Sequence, residues 1–191
     1  MENNDNGVFI VGATSNNEIE DGTSAGSNTI AFNGKDGMQI FDTTSTGNEV
    51  SHNSIFSNVG LGIDLIGPGE IFTSNIPTPN DGDIQNTPQV DPDSDTGANN
   101  LQNKPVLTSA ATSSTATTVK GTLNSAPGVS FSIEFYANPS GADEGQRFIG
   151  AQSVSTNASG DATFSFQPRS KVAAGQNITA TATNGSTRDT S

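Results

Sequence analysis

Apolar residues in the first third of the chain fall in short alternating runs, and the runs repeat. Three segments read Asn, three residues, Gly, apolar, any residue, apolar. They are Asn3-Asn4-Asp5-Asn6-Gly7-Val8-Phe9-Ile10, Asn33-Gly34-Lys35-Asp36-Gly37-Met38-Gln39-Ile40 and Asn58-Val59-Gly60-Leu61-Gly62-Ile63-Asp64-Leu65. A second motif precedes two of them, Asn28-Thr29-Ile30-Ala31-Phe32-Asn33 and Asn53-Ser54-Ile55-Phe56-Ser57-Asn58, and a third pairs Asn17-Glu18-Ile19 with Asn48-Glu49-Val50. Gly7, Gly37 and Gly62 are separated by 30 and then 25 residues. The longer first period contains the turn-forming run Glu20-Asp21-Gly22-Thr23-Ser24-Ala25-Gly26, which can bulge outward without disturbing its flanking strands.

Alternation with period two predicts strands. Three short strands in each period of about 25 residues predict one coil of a parallel β-helix, each strand pairing with its equivalent in the next coil. Val8, Ile10, Ile19, Ile30, Met38, Ile40, Val50, Ile55, Ile63 and Leu65 are then expected to stack inside. Asn at the bends is expected to accept the left-handed conformation, and stacked Asn side chains to hydrogen-bond between coils. A leucine-rich horseshoe would need a Leu-x-x-Leu-x-Leu frame, which is missing here.

The pattern stops at about residue 67. Pro68, Pro77, Pro79, Pro88 and Pro92 exclude helix up to Asn103, and the stretch is acidic. Asp91-Pro92-Asp93-Ser94-Asp95 spaces carboxylates by two, as at the start of an EF-hand loop, but Gly97 comes one position late and Gln102 stands where Glu is required. A looser calcium cage from Asp81, Asp83, Asp91, Asp93 and Asp95 is the candidate metal site, against the plainer reading of a solvated linker. Period-two alternation returns after Pro105, most cleanly in Val129-Ser130-Phe131-Ser132-Ile133-Glu134-Phe135. Val119, Leu123, Phe148, Ala162, Phe164, Phe166, Ile178, Ala180 and Ala182 are expected to complete the buried faces, and turn signals divide the runs at Ala126-Pro127-Gly128, Asn138-Pro139-Ser140-Gly141 and Ala158-Ser159-Gly160-Asp161. Six or seven short strands predict an immunoglobulin-like β-sandwich, although the Cys and Trp hallmarks of antibody domains are absent. The expected fold is all-β, with parallel β-helix coils over 1–66, a connector over 67–103 and a β-sandwich over 104–191.

Asn28-Thr29-Ile30-Ala31-Phe32-Asn33, Asn53-Ser54-Ile55-Phe56 and Gly60-Leu61-Gly62-Ile63-Asp64-Leu65 resemble the final coils of bacterial right-handed parallel β-helix repeat proteins of the pectate-lyase-like superfold. The resemblance continues through Asn100-Leu101-Gln102-Asn103-Lys104-Pro105-Val106-Leu107 and Glu134-Phe135-Tyr136-Ala137-Asn138. It implies an exported or cell-surface protein, extracellular in location, with further coils and a signal peptide upstream of Met1. Its function would be that of a structural or adhesive module without catalysis, with carbohydrate or another surface protein as partner. The alternative is the non-catalytic C-terminal part of a carbohydrate-active lyase or hydrolase.

Composition narrows the chemistry. Twenty acidic residues against seven basic ones leave a formal charge of −13, which repels nucleic-acid phosphates and anionic lipid. No apolar run is long enough for a spanning helix, so membrane insertion is not expected. Without Cys there is neither a disulfide nor a thiolate site. His52 is the only histidine and sits at a predicted bend, so no catalytic residue is assigned. Glu134, on the face opposite Phe131 and Phe135, is expected in solvent, and Asp143 and Glu144 are read as loop acids.

Overall fold

A computed structural model of the chain describes residues 3–19, 27–67, 70, 77, 78, 80 and 96–191. The first seven strands are very short: β1 Val8–Ile10, β2 Glu18–Ile19, β3 Thr29–Ala31, β4 Met38–Ile40, β5 Glu49–Val50, β6 Ser54–Phe56 and β7 Ile63–Leu65. They pair in parallel as β1-β4-β7, β2-β5 and β3-β6. Pairing joins each strand to its equivalent one period later, so the chain makes successive circuits stacked on one another. The register sets Val8 beside Met38 and Met38 beside Ile63, Ile10 beside Ile40 and Ile40 beside Leu65, Ile19 beside Val50, and Ile30 beside Ile55. All ten residues expected to stack form one apolar core, with Met38 and Ile40 fully buried. A single such side chain contributes about 1.5–3 kcal/mol on burial, so strands of two or three residues hold only because the circuits share this core.

The bends work differently from the expectation. The left-handed conformation falls on the residue before five of the stacked Asn residues: Asn16 before Asn17, Phe32 before Asn33, Gly47 before Asn48, His52 before Asn53 and Ser57 before Asn58. The Asn residues recur for their side chains instead. Asn3 Nδ2 donates to Asn33 Oδ1 at 2.7 Å and Asn33 Nδ2 to Asn58 Oδ1 at 2.7 Å, while Asn17 donates to Asn48 at 2.7 Å and Asn28 to Asn53 at 3.0 Å. Glycine at 37 has a packing cause, since a Cβ there would lie 2.7 Å from Gly62 O and 2.9 Å from Asn58 Nδ2.

The second part is antiparallel, with β8 Val106–Thr112, β9 Thr117–Asn124, β10 Ser130–Asn138, β11 Arg147–Ser155, β12 Asp161–Phe166 and β13 Asn177–Asn184. They form two sheets, β11-β10-β13 and β12-β9-β8, joined by a common apolar core. Phe135 stacks on Phe166 with ring centroids 4.1 Å apart and meets Phe164 edge-on at 5.6 Å. Every apolar residue predicted for this core belongs to it except Phe148. The pairing of β10 with β11 shifts register between Phe135 and Tyr136, opposing Phe135 to Gly150 and Tyr136 to Phe148. That irregularity skips Ile149, which packs on the core, and turns Phe148 to the other face, against Tyr136 and His52. The fold is all-β, and no helix among the described residues is long and apolar enough to cross a membrane.

Candidate functional site

Among the described residues β5 and β6 each have a strand on one side only, so the last full circuit presents an edge without a further strand toward the second half of the chain. Open parallel edges offer N–H and C=O groups to any passing strand. Here the edge is covered. Gly47 N donates to Asp189 Oδ1 at 2.6 Å, Asn48 N to Asn99 Oδ1 at 3.0 Å, and Val50 N to Thr190 Oγ1 at 3.0 Å. His52 N donates to Glu134 Oε2 at 2.9 Å, and Asn58 N to Glu144 Oε1 at 3.1 Å. Ile55 and Gly145 exchange both backbone bonds, at 2.9 and 2.8 Å. The partners come from four places: a turn at Ala98–Leu101, the outer face of β10, the loop between β10 and β11, and the tail after β13.

The turn is the most constrained of these. Asn99, Asn100 and Leu101 have φ of 47, 48 and 46°, three consecutive left-handed residues without a glycine. Each costs about 1–2 kcal/mol, so the surroundings must hold them. Asn99 Nδ2 donates to Asn48 O at 2.7 Å and to Thr190 O at 3.1 Å, and Asn99 N donates to Ser45 O at 2.8 Å. Ala98 and Leu101 are buried in the core of the stacked circuits. A stretch read as connector therefore plugs the end of that core. The tail behaves comparably: after β13 it reverses, Thr190 bridges back to Thr183, and Asp189 and Thr190 reach the β5 edge.

Glu134 corrects an expectation. It lies on the predicted face, but that face packs against the circuits, leaving the residue 3 % exposed. Its carboxylate accepts the His52 N–H and the Tyr136 hydroxyl, the latter at 2.5 Å, with His52 Nδ1 3.3 Å away. The His52 ring packs on Phe148 at 4.4 Å. The sole histidine is thus built into the junction. Glu144, read as a loop acid, holds the backbone and side chain of Asn58.

A second polar cluster lies on the outer face of β4 and β7, where Gln39 and Asp64 occupy paired middle positions and are buried. Gln39 Nε2 donates to Asp64 Oδ2 at 2.9 Å and to Asp36 Oδ2 at 3.2 Å, and Asn6 Nδ2 donates to Gln39 Oε1 at 3.0 Å. Burial pushes the Asp64 carboxyl up to about 6, a rise that the Gln39 amide opposes and the Asp36 and Glu70 carboxylates reinforce. Burial also raises Asp36, against the Leu61 N–H that it accepts. Asp42 is lowered, first by the Thr44 hydroxyl and then by the Ala13 N–H. Lys35 pairs with Asp5 at 2.7 Å.

The calcium candidates Asp81, Asp83, Asp91, Asp93 and Asp95 lie outside the described residues. Among the described residues, no three His, Asp or Glu side chains are grouped to hold a metal ion. Sequence reasoning missed Asn99, Asp189 and Thr190, and the faint signal for Asn99 was that Thr96-Gly97-Ala98-Asn99 echoes Thr46-Gly47-Asn48. No protein-family model matches the chain, and no curated protein matches it.

Proposed function

We propose that the chain is a structural module of an exported bacterial cell-surface protein, in which an immunoglobulin-like β-sandwich closes the downstream end of right-handed parallel β-helix coils. The observation that carries this reading is the row of partners along the last circuit. Backbone N–H groups of Gly47, Asn48, Val50, His52, Ile55 and Asn58 all bond to groups from residues 99–190. Stacked repeats expose their end to aggregation unless a polar cap covers it. A row so complete fits a cap better than an incidental contact between neighbours. The role is architectural and non-catalytic. It gives His52 and Glu134, the groups nearest to an acid–base pair, a structural task in binding the two parts together.

Breaking the row tests the proposal. In the double variant Asn99→Ala, Glu144→Ala the edge loses partners at two bends. Light scattering after gel filtration should show concentration-dependent association, and limited proteolysis should cut within residues 3–66 before the core of 106–184. A monomer with the parent digestion pattern would show that these contacts do not cap anything.

A further inference from the structure

The junction does not close everywhere. Between Ile55 and Ile63 of the stacked circuits and Leu107, Tyr136 and Ile178 of the second part lies a cavity of about 380 Å³. Protein interiors rarely leave voids larger than a water molecule, and ligand sites begin near this size. Its walls are mainly apolar. The charges beside it do not call for an ion: Lys104 Nζ donates to Thr78 O, and both Glu144 oxygens are engaged by Asn58. Asp143, exposed, is the remaining charged side chain among the described wall residues, and together with a net charge of −13 it disfavours an anion.

One wall residue is out of balance. Thr181 lines the cavity, yet its Oγ1 is buried and without a hydrogen-bond partner among the described residues. A hydroxyl in that state is costly, and one step about χ1 between staggered wells carries the hydroxyl to the place the methyl held while the methyl moves to that of the hydrogen. We propose that this cavity binds a neutral, largely apolar small molecule carrying one hydrogen-bonding group, and that Thr181 engages that group. Walls of Ile, Leu and Tyr supply the apolar contact, and the unmet hydroxyl supplies orientation.

N-phenyl-1-naphthylamine is a suitable probe, since it is neutral, apolar, carries a single N–H and brightens in apolar surroundings. Added to the full chain, it should give a saturable 1:1 fluorescence rise. Leu61 also lines the cavity, and Leu61→Trp, which fills the space, should abolish that rise. Thr181→Val keeps the shape and should weaken the arylamine about three- to tenfold, the loss of one hydrogen bond. It should leave 1-benzylnaphthalene, a similar hydrocarbon without N–H measured by competition, unchanged. Circular dichroism melts check that each variant is folded. Should Leu61→Trp fail to fold, Thr181→Val carries the test alone. No saturable rise, a rise unaltered by a folded Leu61→Trp, or equal weakening of both compounds by Thr181→Val would overturn the proposal.

Discussion

Glu144 grips Asn58 twice, its Oε1 accepting the backbone N–H at 3.1 Å and its Oε2 the side-chain amide at 2.6 Å. In the circuit above, Asn58 Oδ1 does the same for Asn33, taking its backbone N–H at 3.2 Å and its amide at 2.7 Å. A carboxylate thus stands where the next Asn of the column would be. It suits the last place because it accepts with both oxygens and has nothing left to donate.

Replacing Glu144 with Gln turns an amide N–H₂ toward one of two donors. We expect a loss of about 1.5–3 kcal/mol, the usual worth of hydrogen bonds to a charged group. Urea unfolding monitored by circular dichroism measures it. A change within about 0.5 kcal/mol, as at an ordinary surface site, would mean the grip contributes little.

Ser57 and Gly37 should respond in opposite directions to exchange of a Cβ. Ser57 sits at φ 55°, where Cβ crowds the backbone, so Ser57→Gly should raise stability by up to about 1 kcal/mol. Gly37→Ala puts a Cβ within 2.7 Å of Gly62 O and should cost about 1–3 kcal/mol. Paired thermal melts decide this, and the same sign for both would contradict the account of the bends.

Asp64 binds its proton more tightly in the folded chain, near 6, than in the unfolded one, near 3.9. Its contribution is therefore fully present below about pH 4 and is lost as the pH rises through 6. The loss over that range is about 1–3 kcal/mol, the upper figure being the worth of the whole shift from 3.9 to about 6. Asp64→Asn should be more stable than the parent at pH 7, with the advantage shrinking toward pH 4. Denaturant midpoints at both pH values test it, and a gap that does not change with pH would refute the assignment.

Much of this was readable in the chain. Ile30 and Ile55 announce their pairing because a repeat places the same residue at the same phase, and burial follows from the phase alone. The Asn columns were legible for the same reason, but their cause was only half seen: Ser57 and Phe32 carry the left-handed bend, and no local preference of those residues advertises it. Phe148 was misplaced because an irregularity in a sheet moves one side chain across without altering the alternation around it. Glu134 fell on the face expected, yet whether a face meets water depends on what packs there. Asn99 and Thr190 lie far along the chain from Asn48 and Val50, and contacts at such distance leave no periodic trace.

The column Asn3, Asn33, Asn58 has a further consequence. Each side-chain amide donates to the oxygen of the one below, so their dipoles point the same way and add rather than cancel. Like the peptide dipoles of a helix, such a row carries fractional positive charge at the end where its donors point. That end holds the Glu144 carboxylate. The stack of circuits is in this sense a polarised rod, and its anion sits on the positive pole.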